Sequence, residues 1–305
     1  MNGMELAKCY WQQVGKPAFR AYCPEVLEHC AVGLVGEGSE CFGYDDEISR
    51  DHDWGPGFCL WLTREDMERW GERARQIYQD LPKEFSGYCR HCSDPMSSGR
   101  VGVLEIGAFY ARFLGIAYPP RTLAEWKHIP ETGLAVATNG QIFFDYSNVF
   151  SEFREVLLNN YPEDLRRKKL AYHCALAAQS GQYNYERCRK RGDDVASLLA
   201  LSQFIQHIQA IVFLLNRRYR PYYKWAHRAM KNLPILGSVL WKLIDSLVRD
   251  EDRKIRVEEI CWLVIKEFEA QELSNSESNF LLDHARHIQK SIKDETLRKT
   301  HLMAE

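Results

Sequence analysis

The sequence predicts an α+β protein: a mixed sheet with helices over residues 1–150, then an all-helical domain over 151–305. Three observations predict it. Short apolar, β-branched runs alternate with helical periodicity up to about residue 148. Past Phe150, apolar residues recur only at three- and four-residue steps. A length of 305 residues suits one large domain or two ordinary ones.

Residues 1–30 read as helix, with breaks expected at Gly15-Lys16-Pro17 and at Cys23-Pro24. CAVGLVG, from Cys30 to Gly36, reads as a buried strand ending in glycine, and GFCLWL, from Gly57 to Leu62, as a second. Thr63 is a helix N-cap followed by first-turn acids, and Pro82 is the stop. Val101–Ile106 predicts a third strand running into a helix. Asn139-Gly140, inside LAVATNGQIFFDYSN, predicts a hairpin. In the second half, Val195, Leu198, Leu199, Ile205, Ile208, Ile211, Val212 and Leu215 predict the buried stripe of a long helix. No repeat or low-complexity segment occurs.

Hydrophobic residues make up 45% and charged residues 27%, an ordinary balance for a soluble protein, and the formal net charge is −2. That charge gives no global reason to expect nucleic acid as a partner, although it leaves room for a local basic groove. No signal-peptide pattern opens the chain, and the apolar run Leu233–Leu240 is too short to cross a bilayer. Ten cysteines scattered without a secretory signal predict reduced thiols, a cytoplasmic location and no membrane partner. Cys89 and Cys92 form a CxxC but lack a second ligand pair, so they read as loop thiols rather than a zinc site.

The chemistry concentrates in GEGSECFGYDDEISRDHDWGPGF, Gly36–Phe58, which holds seven carboxylates and one arginine. Gly36, Gly38 and Ser39 follow the first strand, where glycine lets a phosphate approach backbone N–H donors. After eleven intervening residues, Asp51 and Asp53 lead into the second strand, where residues two apart share a face. Two adjacent carboxylates repel unless a cation lies between them, and Mg²⁺ suits such a pair when substrate phosphates complete its shell. Asp45, Asp46 and Glu47 read as solvated loop acids, Arg50 as an ion-pair partner or phosphate contact, and His52 as pointing away from the aspartates.

Gly-Ser, a short gap and Asp-x-Asp together resemble the nucleotidyltransferase superfamily typified by DNA polymerase β and the aminoglycoside nucleotidyltransferases. The longer string resembles a poorly characterised bacterial branch of it. Glu37 and His52 depart from the family pattern, which has apolar residues there.

The resemblance implies a nucleotidyltransferase-type mixed sheet followed by a helical nucleotide- and acceptor-binding domain. It implies transfer of a nucleoside monophosphate, AMP from ATP, to the hydroxyl of a small acceptor, with release of pyrophosphate. Asp51 and Asp53 would hold the metal, and Gly38 and Ser39 would cradle the triphosphate. A third carboxylate would serve as base, with Glu105 the first choice and Asp145 the competitor. The resemblance also carries a triphosphate contact onto Lys224, within the basic, aromatic segment NRRYRPYYKWAHRAMKNLP. An acceptor made of tRNA or protein, or a non-catalytic nucleotide-binding regulator, is the alternative. His173, Gln206 and His207 read as satisfied core groups that could also line an acceptor pocket. The sequence leaves the oligomeric state open.

Overall fold

The computed structural model describes residues 1–50, 54–89, 99–249 and 252–304. The fold is mixed α+β, and the chain divides into two compact units. One is Met1–Arg121 with Ile129–Asn159; the other is Thr122–His128 with Asn160–Glu305.

The first unit begins with α1 (Gly3–Tyr10), whose Asn2 and Glu5 cap each other's backbone N–H groups in a capping box. The break expected at Gly15-Lys16-Pro17 does not occur. The helix widens into a π turn at Trp11–Gly15 and continues as α2 (Lys16–Tyr22), with Lys16 N–H bonded to the Trp11 carbonyl. The change of register falls where Pro17 has no N–H to offer, so the proline is absorbed. Cys23 does break the chain, with φ −157° and ψ 68°, before α3 (Pro24–Leu27).

Four strands form the main sheet: β1 (Ala31–Leu34), β2 (Cys59–Leu62), β5 (Gly102–Glu105) and β6 (Gln141–Asp145), in the order β5-β2-β1-β6. Between β2 and β5 lie α4 (Arg64–Asp80), capped by Thr63, and a small ribbon of β3 (Glu84–Phe85) and β4 (Tyr88–Cys89). β1 runs antiparallel to both β2 and β6, and β2 runs parallel to β5. β1 and β2 are buried along their whole length, which is why both read as unbroken apolar runs. Val32, Leu60 and Leu62 join a core with Tyr10, Phe19 and Phe58. Trp61 stacks on Phe150 at 4.0 Å between ring centroids.

After β5 come α5 (Ile106–Leu114), α6 (Leu123–His128), which belongs to the second unit, α7 (Glu131–Ala137), β6 and α8 (Val149–Leu158). The hairpin expected at Asn139-Gly140 is absent. Leu134, Ala135 and Ala137 are buried helical residues of α7, and the dipeptide turns that helix into β6. β6 then pairs with β1, a hundred residues upstream, instead of with its own neighbour. Gly140 has φ +66°, and a side chain there would meet the Leu34 carbonyl, so the turn requires glycine.

The second unit is helical, containing α6, α9 (Glu163–Ala177), α10 (Glu186–Lys190), α11 (Asp194–Leu215), α12 (Tyr223–Met230), α13 (Gly237–Arg249), α14 (Arg253–Ala270), α15 (Leu281–Lys290) and α16 (Glu295–Lys299). α9 carries unusual cations into the interior. Lys168, almost fully buried, donates to Gln289 Oε1 and to the carbonyls of His301 and Leu302, tying the C-terminal segment down.

The stripe expected on α11 is only partly buried. Val195, Leu198 and Leu199 face solvent, whereas Ala200, Leu201, Phe204 and Ile208 face inward. The Phe204 ring packs against Gly181, where a Cβ would collide with it, and this close approach sets which face turns inward. Beyond Ile208 the helix is buried all round, so one stripe cannot describe it. α11 is long and apolar enough to cross a membrane by length and composition, and over half of its apolar window is buried in the fold.

Glu163 receives Arg166, Arg167 and Arg217. Burial favours its neutral form, but these three hydrogen-bonded cations outweigh burial and hold the carboxyl at about 2. A carboxyl depressed in the folded state stabilises above its ordinary range near 4.5, and that contribution is lost as pH falls toward 2. Glu163→Gln therefore lowers the melting temperature at pH 7 and removes part of the drop between pH 5 and pH 3. Scanning calorimetry across that range checks both.

Candidate functional site

β1 ends at Leu34 and the chain turns immediately. Gly36 and Gly38 adopt φ of +132° and +120°, a region closed to most side chains. Asn139 clamps the turn from the far side: its Oδ1 accepts from Gly36 N–H at 3.0 Å and its Nδ2 donates to the Gly36 carbonyl at 2.7 Å. Ser39 opens a short 3₁₀ turn, Glu40–Phe42, and its carbonyl accepts from the N–H groups of Phe42 and Tyr44.

Arg100 enters just before β5 and fills the space beside Gly38. Its Nε and Nη2 donate to the Glu37 carbonyl, and Nη2 also pairs with the Glu40 carboxylate. A Cβ at position 38 would meet both the guanidinium and the Glu40 carboxylate. Glu40 is buried, and that burial pushes its carboxyl up despite the opposing charge of Arg100. Glu37 instead points outward and pairs with Arg112 of α5. A cavity of about 560 Å³ adjoins the turn, with Glu40, Cys41, Phe42, Asn139 and Gln141 in its wall.

The register places the two ends of the β1–β2 connection. Gly33 of β1 opposes Cys59 of β2, and Cys59 pairs with Gly102 of β5. The connection from β1 to β2 therefore leaves and re-enters at one end, and it contains positions 51–53. Asp51, His52 and Asp53 lie outside the described residues; Arg50 and Trp54 flank them. Trp54 is buried and donates from Nε1 to Asp45, which also accepts from Gly3 N–H at 2.7 Å. Asp45 is thus an anchor and not the solvated acid the sequence suggested, whereas Asp46 and Glu47 are exposed. Arg50 lies over the rings of Trp54 and Tyr88, at 5.0 and 5.6 Å, a stacking role the sequence did not suggest.

The structure does not bring Glu105 to the glycine turn. Because β5 runs parallel to β2, Glu105 pairs with Leu62, three ladder positions (about 10 Å) from Cys59 and Gly102. Both of its carboxylate oxygens are turned to the start of α5, accepting from Gly107 N–H at 2.8 Å and Ala108 N–H at 2.5 Å. Asp145 also lies away from the turn. It opposes Ala31 at that far end and accepts from the N–H groups of Asn148 and Ser151 and from Ser151 Oγ.

In the second unit, Lys224 is exposed on α12, with Nζ 5.0 Å from the centroid of the Trp225 ring. His173 and His207 face each other, Nδ1 to Nδ1 at 3.0 Å. Burial, then the charges of His207, Arg220 and Lys169, keep His173 neutral. Gln206 is exposed, and its carbonyl accepts from Arg220. Cys89 is exposed and Cys92 lies outside the described residues.

Arg100, Glu40 and Asn139 are the residues that sequence reasoning missed. The first two meet across sixty positions, with no local pattern to announce the pair. Asn139-Gly140 carried a signal, but it marked a clamp on the turn and not a hairpin. Together the turn gathers two glycines at positive φ, a serine and two arginines paired with Glu40 and Glu37 at one end of the sheet. Among the described residues no group of three metal-ligating side chains occurs.

A family model described as a domain of unknown function, DUF4037, matches residues 126–226. No curated protein matches the chain. A solved structure, a nucleotidyltransferase-like protein from Exiguobacterium sibiricum 255-15, is similar over 90% of this chain and 89% of its own, at 12% identity and a TM-score of 0.34. A likeness that loose says nothing about the chemistry of this chain.

The ion pair at the turn yields a test. Arg100→Ala leaves Glu40 buried without its cation and costs about 3–5 kcal/mol. Adding Glu40→Gln removes the stranded charge and recovers part of that loss. Amide hydrogen exchange across residues 31–42 should show fast exchange in the single variant and partial protection in the double.

Proposed function

We propose that the chain is a metal-dependent nucleotidyltransferase that moves AMP from ATP to a hydroxyl of a small molecule. The observation that carries the proposal is the β1–β2 register. It brings Leu34, just before the Gly36–Ser39 turn, and Cys59 to one end of the sheet, and Asp51 and Asp53 belong to the chain between them.

The residue types fit the groups this reaction needs. Paired aspartates supply hard oxygen donors of the kind Mg²⁺ takes together with phosphate oxygens. Gly36 and Gly38 take positive φ, so their backbone lies open to a phosphate from the side away from the Arg100–Glu40 pair that fills the space beside Gly38. In this reading Asp51 and Asp53 hold the metal, while Gly38 and Ser39 receive the triphosphate. The bound ion would offset charge building on the phosphates during in-line attack by the hydroxyl. Arg100, paired with Glu40, keeps the turn in place, and Arg112 stands behind Glu37. The neighbouring cavity, with Glu40 and Asn139 in its wall, is large enough for a small substrate. Positioning and charge then supply most of the rate.

Glu105 has a structural part in this scheme, as the cap of α5. Pyrophosphate release from ATP and Mg²⁺, assayed with pools of hydroxyl-bearing metabolites, tests the whole. Asp51→Asn and Asp53→Asn should each lower turnover at least a thousandfold with the fold intact. Glu105→Gln should keep turnover within about threefold and lower stability by about 1 kcal/mol, the worth of a helix cap. Full turnover in Asp53→Asn would refute the metal pair. Loss of turnover with unchanged stability in Glu105→Gln would restore that residue as the base.

A further inference from the structure

From Val195 to Ile244 the chain contains no aspartate or glutamate, although it holds 42 acids against 40 lysines and arginines overall. The first half of this stretch is α11, whose buried C-terminal half needs no acids. The second half is different. Residues 216–244 lie largely at the surface and carry seven lysines and arginines.

We infer that the surface built on α12 binds single-stranded nucleic acid, its exposed tyrosines stacking on bases and its cation row following the phosphates. The inference is independent of the transfer reaction. Lys224, Arg228 and Lys231, spaced four and three apart, lie on one face of the helix and its extension, within about 10 Å, and all three are exposed. Their charges rest on flat rings: Lys224 Nζ is 5.0 Å from the Trp225 centroid, and Lys231 Nζ is 4.7 Å from that of Trp241. A cation held over a ring keeps its position better than one on a free stem, so the row is partly ordered before binding. At the head of the helix Tyr222 and Tyr223 are 53% and 72% exposed, with ring centroids 4.3 Å apart.

Aromatic faces beside a cation row are what sequence-tolerant binding of unpaired strands uses. A lipid surface would need large aliphatic side chains to insert, and on α12 Met230 and Ala226 are buried while Ala229 is small and half-buried. A duplex would engage the cations and leave the tyrosine faces without bases. Asp245, the first acid downstream, lies on α13 near His227 and opposes the fall in that group's pKa caused by burial.

The experiment is fluorescence anisotropy of a labelled twelve-nucleotide oligoadenylate with the full chain, without ATP or Mg²⁺. Its outcome is therefore separate from that of the transfer assay. Binding should weaken with salt with a log–log slope of about −2, the value for three phosphate contacts on a single strand. Lys224→Glu combined with Arg228→Glu and Lys231→Glu should weaken binding at least tenfold and flatten the slope. Tyr222→Ala with Tyr223→Ala should weaken it about tenfold and leave the slope unchanged. Lys83→Glu, an exposed cation of the first unit, should change nothing, and circular dichroism should show each variant folded. The inference is overturned if the triple charge variant binds as the wild type does. It is equally overturned if the tyrosine variant is unaffected while duplex competes as well as single strand. Binding to three-to-one phosphatidylcholine–phosphatidylserine vesicles without binding to the oligonucleotide overturns it in favour of a membrane.

Discussion

Arg100 stands before β5 with its guanidinium packed into the space that a side chain at position 38 would occupy. Its hydrogen bonds run to the Glu37 carbonyl and to the buried Glu40 carboxylate, on the two sides of Gly38-Ser39. A turn at the end of a fully buried strand must satisfy its polar backbone without water. Arg100 satisfies it from one side and Asn139 from the other. Remove the guanidinium, and Glu40 becomes a stranded charge in the wall of the same turn. The shape of the glycine loop and one wall of the adjoining cavity follow from this pairing.

Local signals read correctly wherever local forces decide. β1 and β2 are apolar on both faces and were legible as strands. Thr63 caps α4 as its side chain dictates, and Cys23-Pro24 breaks the chain where proline must. The misreadings share one cause, a decision made by residues far away in sequence. Asn139-Gly140 has the composition of a hairpin turn, but β6 gains more by pairing with β1. Gly15-Lys16-Pro17 has the composition of a break, but a π turn packed on Phe58 carries the helix through. On α11, the Phe204–Gly181 contact chose a face that periodicity alone could not choose.

Glu105 shows the limit most clearly within the candidate site. A carboxylate at the end of an apolar strand was visible in the sequence. Which end of the sheet that strand's C-terminus reaches was not, because it depends on β5 being parallel to β2. Parallel pairing sends Glu105 to the end away from the glycine turn, where the start of α5 takes up its charge. Antiparallel pairing of β1 and β2 brings the two ends of their connection, Leu34 and Cys59, to the other end of the sheet, where the glycine turn lies.

The most direct measurement of that central claim is calorimetric titration of ATP into the full chain with and without Mg²⁺, in the wild type and in Asp51→Asn. Paired aspartates and the glycine turn sharing one site predict triphosphate binding that strengthens at least tenfold with Mg²⁺, and an Asp51→Asn variant that loses the Mg²⁺ effect. Binding that ignores Mg²⁺, or an Asp51→Asn variant that responds to Mg²⁺ as the wild type does, would contradict it.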